Sequence, residues 1–175
     1  MKNVAVIGMG TMGPGIAATL ARGGMNVRGY DTSADAAANS GALIGSAFVA
    51  LEGLGMPDHG GAAQISMSNS LEDCVSGADL VVETVPEDVD LKLELLSTLD
   101  GLVSRECVLA SDTSGIPITR LQQGNSNPGR VIGMHWSNPP HIIPIIEVVA
   151  GQDTSPETVE WMTALIRQIN LLPIL

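Results

Sequence analysis

"VIGMGTMGPGIAA" occupies Val6–Ala18: an apolar run leads into Gly8, Gly10 and Gly13, and alanines follow. Lys2–Ile7 reads as a short buried strand. Pro14 suits the first turn of a helix, where its missing N–H does no harm. Ile16 and Leu20 share one helical face, and Gly23-Gly24 ends the segment. "NVRGYD" then reads as a second strand that finishes at Asp31, 18 residues past Gly13. Three glycines therefore stand where a strand becomes a helix, with an acid at the tip of the next strand.

In that context each glycine has a task. The first permits the turn, the second lets a pyrophosphate approach the backbone, and the third lets helix and strand pack closely. The helix N-terminus offers unpaired amides and partial positive charge. Asp31 suits the hydroxyls of an adenosine ribose and repels a 2′-phosphate, which favours NAD over NADP. The cofactor-binding set from this motif is Gly8, Gly10, Thr11, Met12, Gly13 and Asp31. A plain glycine turn with a helix-capping aspartate is the structural alternative.

The remaining chain alternates in the same way. A poorly delimited helix lies within Ser33–Leu54, then a loop, a strand near Ala63–Met67 and a short helix at Ser70–Ser76. "ADLVVETV" is a strand, and a helix after Pro86 carries the stripe Leu95, Leu96, Leu99 and Val103. "CVLAS", "RVIGMH" and "IIEVV" are strands. Pro139, Pro140 and Pro144 leave no room for a helix before the last of these, so an antiparallel strand is expected there. Ser155-Pro156-Glu157 starts a helix, and "LLPIL" begins another strand. The expected fold is α/β: a Rossmann-type, doubly wound, mostly parallel sheet with helices on both faces, one domain over residues 1–175.

Composition excludes several functions. With 45% hydrophobic and 15% charged residues the chain is not of the disordered class. A net charge of −11 and only four aromatic residues argue against nucleic acid and anionic membranes as partners. No apolar run approaches the roughly 20 residues of a membrane span, and the N-terminus reads straight into a strand, so no targeting peptide is expected. Cys74 and Cys107 form neither a metal spacing nor a disulfide framework; a reducing, cytoplasmic location is expected, with no metal.

"VIGMGTMGPGIA", Asp31, "DLVVETVPEDVDLK", "SDTSGIPIT" and "GMHWSNPPHIIPIIEVV" together resemble the NAD-binding domain of the 3-hydroxyacyl-CoA dehydrogenase family. The spacings from Ser114 to His135 (21 residues) and from His135 to Glu147 (12) agree with that family's pattern. The resemblance implies an NAD-dependent oxidoreductase. His135 would take the proton of a secondary alcohol as hydride leaves for the nicotinamide, and Glu147 would orient the imidazole. Ser114 would hydrogen-bond the substrate oxygen beside the cofactor, and Glu87, Lys92, Ser114 and Asn138 fall on cofactor-contact positions. The bland alternatives are a turn hydroxyl at Ser114, a solvent-facing Glu147, a turn residue at Asn138, a first-turn acid at Glu87 and an Asp88–Lys92 surface pair. His141 is a rival base by residue type alone.

The sequence departs from the family in three places. Asp112 replaces the usual asparagine and adds negative charge near Ser114. Trp136-Ser137 replaces a pair of phenylalanines, and residues 29–91 contain no Lys or Arg to grip coenzyme A. "NPPHIIP" looks more like the branch acting on carnitine, gulonate or a pyridine carboxylate. The substrate is therefore an acyl-CoA or, alternatively, a small carboxylated alcohol or hydrated aldehyde. A non-catalytic NAD-binding module is the reading from a different class. The family's pattern continues into an all-helical domain that carries a further catalytic asparagine, one substrate wall and much of the dimer interface, so any homodimer is expected to form through that domain.

Overall fold

Eight strands form one sheet in the computed structural model, which describes residues 2–175. They are β1 (Asn3–Ile7), β2 (Asn26–Tyr30), β3 (Ile65–Met67), β4 (Leu80–Glu83), β5 (Val108–Ser111), β6 (Val131–Trp136), β7 (Ile145–Ala150) and β8 (Leu172–Ile174). Their order is β3-β2-β1-β4-β5-β6-β7-β8. Every pairing is parallel except β6 with β7, which is antiparallel. The proline-bearing link 137–144 carries no helix, so the chain turns back beside β6 instead of crossing over. That reversal sets His135 directly opposite Glu147.

Six helices cover the sheet: α1 (Gly13–Arg22), α2 (Ala34–Gly53), α3 (Leu71–Val75), α4 (Val89–Leu102), α5 (Ile118–Leu121) and α6 (Pro156–Gln168). Alternation along the strands divides the core between the two faces. Val4, Val6, Leu80, Val82, Ile132 and Met134 pack with residues of α1, α2 and α6. Ala5, Ile7, Val81, Leu109 and Val131 pack with residues of α3, α4 and α5. Ser33 caps α2, Asp88 caps α4 and Ser155 caps α6, each accepting from a backbone amide of the first turn.

Some expectations change. At 20 residues, α2 is long and apolar enough to cross a membrane by length and composition alone. Its apolar character comes largely from alanine, and Ser40, Ile44, Ala47 and Leu51 form its buried face. In the α4 stripe Leu96 and Leu99 are buried, whereas Leu95 and Val103 are half-buried. The single turn α5 was not anticipated, because four residues carry no period. The surface pair of Asp88 with Lys92 does not form, since Lys92 is 1% exposed beside the fully buried Glu83.

This buried ion pair joins α4 to β4. Lys92 Nζ donates to both Glu83 carboxylate oxygens at 2.9 Å and to the Val85 carbonyl at 3.2 Å. Ser111 at the end of β5 donates its hydroxyl to the same carboxylate. Burial pushes the Glu83 carboxyl up, against the opposing pull of Lys92 and Ser111. Removing one partner leaves an uncompensated buried charge, so Lys92→Met is expected to cost about 3–5 kcal/mol in urea unfolding. Adding Glu83→Gln to that variant is expected to recover much of the loss.

Candidate active site

The carboxyl ends of β1, β2, β4, β5 and β6 open on one edge of the sheet, where α/β folds place their ligands. Gly8 follows β1 at φ +98°, a left-handed conformation suited to glycine. A Cβ on Gly13 would lie 2.0 Å from the Gly8 carbonyl oxygen, so only glycine lets α1 start this close to β1. At Gly10, by contrast, a Cβ would meet no atom within 4 Å. The backbone there borders open space, and the Gly10, Thr11 and Met12 amides make no hydrogen bond among the described residues.

Those residues line a cavity of about 610 Å³ that runs past Tyr30, Asp31, Ser33 and Ala36 to Leu71, Leu91 and Leu95. Asp31 first serves the turn itself: one oxygen accepts from Met9 N at 2.7 Å and the other from Ser33 N at 2.8 Å. Each oxygen keeps a lone pair for a further donor. Unpaired amides at a helix start, a carboxylate at the next strand tip and an apolar slot beyond fit an adenine dinucleotide part by part.

A second cavity, of about 480 Å³, adjoins the first at Met12, Thr84 and Val85. Glu87, Asp112, Ser114, His135, Trp136, Ser137 and Asn138 complete its lining. The His135 Nδ1 lies 2.7 Å from Glu147 Oε2 across the antiparallel pair. A carboxylate can only accept, so Nδ1 carries the proton of the neutral ring and Nε2 is left free to accept one. The Glu147 side chain is 56% exposed. Its pairing with His135 is thus set by strand register, not by a need to escape burial. β7 is also not an edge, since β8 covers its other side.

Ser114 is exposed at the turn after β5, and Glu87 holds that turn in place. Glu87 Oε1 accepts from the Thr113 hydroxyl at 2.6 Å and from the Ser114 and Gly115 amides at 3.0 and 3.1 Å. Burial pushes the Glu87 carboxyl up, but these donors and Lys92, 3.5 Å away, hold it below its ordinary value. Lys92 therefore acts from behind Glu87 and Glu83 and does not reach the crevice wall. Asn138 is exposed on the rim, beside a cis bond to Pro139. His141 packs against Gly15 of α1 with Nδ1 buried and unpartnered, and desolvation lowers its pKa. Trp136 is 2% exposed and belongs to the core as much as to the cavity.

Asp112 does not simply add charge. Burial, chiefly, raises its carboxyl to about 7, against the pull of the Trp136 amide and His135. Thr84 was missed in the sequence, although it follows β4 at the same edge. Its hydroxyl donates to the Gly8 carbonyl at 2.6 Å, and it lines both cavities. No group of three or more His, Cys, Asp or Glu among the described residues suits a metal ion.

Residues 3–175 match the family model for the 3-hydroxyacyl-CoA dehydrogenase NAD-binding domain. The chain belongs to this family. It is 49% identical over 175 residues to a 5-formyl-3-hydroxy-2-methylpyridine 4-carboxylate 5-dehydrogenase of Mesorhizobium japonicum, covering 99% of this chain and 57% of that protein. It is 39% identical over 161 residues to an L-carnitine dehydrogenase of Streptomyces griseus, covering 92% and 48% respectively. A crystal structure of 5-formyl-3-hydroxy-2-methylpyridine 4-carboxylic acid 5-dehydrogenase, an NAD+-dependent dismutase, aligns with a TM-score of 0.95 at 49% identity, over 99% of this chain and 57% of that one. The chain thus spans about half the length of these relatives.

Within this 3-hydroxyacyl-CoA dehydrogenase-type domain, the openness at Gly10 separates cofactor binding from folding. Gly10→Ala is expected to leave unfolding stability within about 0.5 kcal/mol of the parent. NAD affinity, measured by calorimetry, is expected to fall about tenfold or more, or at least 1.4 kcal/mol.

Proposed function

We propose that this chain is the cofactor-binding and proton-transferring part of an NAD-dependent dehydrogenase for a small carboxylated alcohol or hydrated aldehyde. The observation that carries this reading is the 2.7 Å His135–Glu147 couple on the cavity that adjoins the glycine-turn crevice. NAD, when bound, supplies the hydride acceptor. Gly10, Thr11 and Met12 offer amides to its diphosphate and Asp31 accepts from its ribose. His135 Nε2 takes the hydroxyl proton, and Glu147 stabilises the imidazolium that results. Ser114, held by Glu87, offers its hydroxyl to the substrate oxygen.

Two features support a small substrate over a coenzyme A ester. Residues 29–91, which include α2 and border the crevice, contain no Lys or Arg for a polyphosphate tail. The relatives named for a formylpyridine carboxylate and for L-carnitine also point to small substrates. The free, buried Cys74 and Cys107 fit a reducing compartment, and we place the protein in the cytoplasm.

The test is NAD-linked turnover of 3-hydroxybutyryl-CoA beside 3-hydroxybutyrate, L-carnitine and a formylpyridine carboxylate. Higher kcat/KM on a free acid is expected, and a preference for the CoA ester contradicts the substrate assignment. His135→Ala is expected to lower kcat by about 10²–10⁴ with NAD affinity nearly unchanged. Unchanged turnover removes His135 from the role.

A further inference from the structure

Asp112 stands one residue beyond β5, on the wall of the cavity that His135 and Ser114 share. Its backbone amide donates to the Glu83 carbonyl at 2.9 Å, which continues the β4–β5 ladder by one step. Its Oδ1 accepts from the Trp136 amide at 2.8 Å and ties the tip of β5 to the tip of β6. Oδ2 makes no hydrogen bond among the described residues, and Asp112 lines the cavity. One carboxyl oxygen ties two strand tips together, and the other has no protein donor among the described residues.

We propose that Asp112 is a ligand-contacting specificity residue that, as the neutral acid, donates a hydrogen bond from Oδ2 to the carboxylate of a small substrate. This rests on the reading of the site as a dehydrogenase pocket for small carboxylated molecules. As an anion, the same oxygen repels a carboxylate at short range. The residue thus favours carboxylated ligands at neutral and lower pH and excludes them above it.

The surroundings explain why the acid form persists. Glu83 on β4 is a buried carboxylate, and its repulsion disfavours a second negative charge at Asp112. His135 on β6 and Lys92 on α4 act in the opposite sense. Glu87, before α4, lies on the same cavity wall, and Glu147 on β7 stands behind His135. Lys92 is paired with Glu83, and the fields of the two oppose each other at Asp112. Desolvation dominates, and the carboxyl titrates at about 7 instead of in the usual carboxylate range. A carboxylic acid kept neutral in this way can donate a hydrogen bond that its anion cannot.

Asp112→Asn supplies the test, because asparagine has the same shape. Its carbonyl can keep the Trp136 bond while its NH₂ donates at every pH. The probe is pyridine-4-carboxylate, titrated by calorimetry into the NADH-loaded protein at pH 6 and pH 8.5. In the parent its affinity is expected to fall about 30-fold over this range, following the fraction of acid in a group titrating near 7. In Asp112→Asn that loss is expected to vanish. Charge changes on groups not coupled to Asp112 are common to both proteins, and the infrared carboxyl band reports Asp112 itself. Infrared spectra of the parent are expected to show a protonated-carboxyl band lost across pH 7 and missing from the variant. An identical pH dependence in both proteins, no probe binding at pH 6, or a band that titrates near 4 overturns the proposal. None of these readouts needs turnover, so the dehydrogenase reading stands or falls separately, on NAD-linked activity.

Discussion

The start of α1 lies so close to β1 that a single added carbon at Gly13 would collide with the Gly8 carbonyl. Much of the site follows from that approach. It fixes α1 with its unpaired amides at the sheet edge, and it places Met12 on both cavities. The turn is locked from both sides: Asp31 at the tip of β2 accepts from Met9 N, and Thr84 at the tip of β4 donates to Gly8 O. A ligand that reads this turn therefore senses three strand tips at once.

Acid side chains dominate the rest of the site. Glu83, Glu87, Asp112 and Glu147 surround or back the second cavity, and Lys92 is the cation packed among them. Such an arrangement is stable only if each carboxyl has its own compensation. Glu83 has the buried ammonium and Ser111, Glu87 has the donors of the Thr113–Gly115 turn, and Glu147 has His135 and solvent. Asp112 has one backbone amide for one oxygen, and burial raises its carboxyl to about 7. Four similar groups thereby acquire different surroundings: a buried ammonium for Glu83, turn donors for Glu87, an imidazole for Glu147 and one backbone amide for Asp112.

Much of this was legible in the sequence because backbone rules wrote it there. The glycine spacing, the helix-starting Ser155-Pro156-Glu157 and the proline-rich break before "IIEVV" each encode local geometry, and the antiparallel turn followed from the last. The register that faces His135 with Glu147 lay 12 residues apart along the chain. What stayed hidden depended on packing between distant segments. Lys92 read as a cofactor contact or as half of a surface pair, and its burial over Glu83 shows only once α4 is folded. Asp112 looked like an added charge until β4 and β6 closed around it. Thr84 carries no pattern of its own, since a threonine after a strand is commonplace. The one-turn α5 is too short for any periodicity.

The central claim is that one dinucleotide spans both cavities, with its diphosphate on the turn before α1 and its reactive end beside His135. A crystal structure of the protein with NAD tests it most directly. The account predicts the diphosphate oxygens within hydrogen-bond distance of the Gly10, Thr11 and Met12 amides, a ribose on Asp31 and the nicotinamide in the cavity lined by Ser114 and His135. A cofactor seated elsewhere on the sheet, or one whose nicotinamide points away from His135, would contradict it.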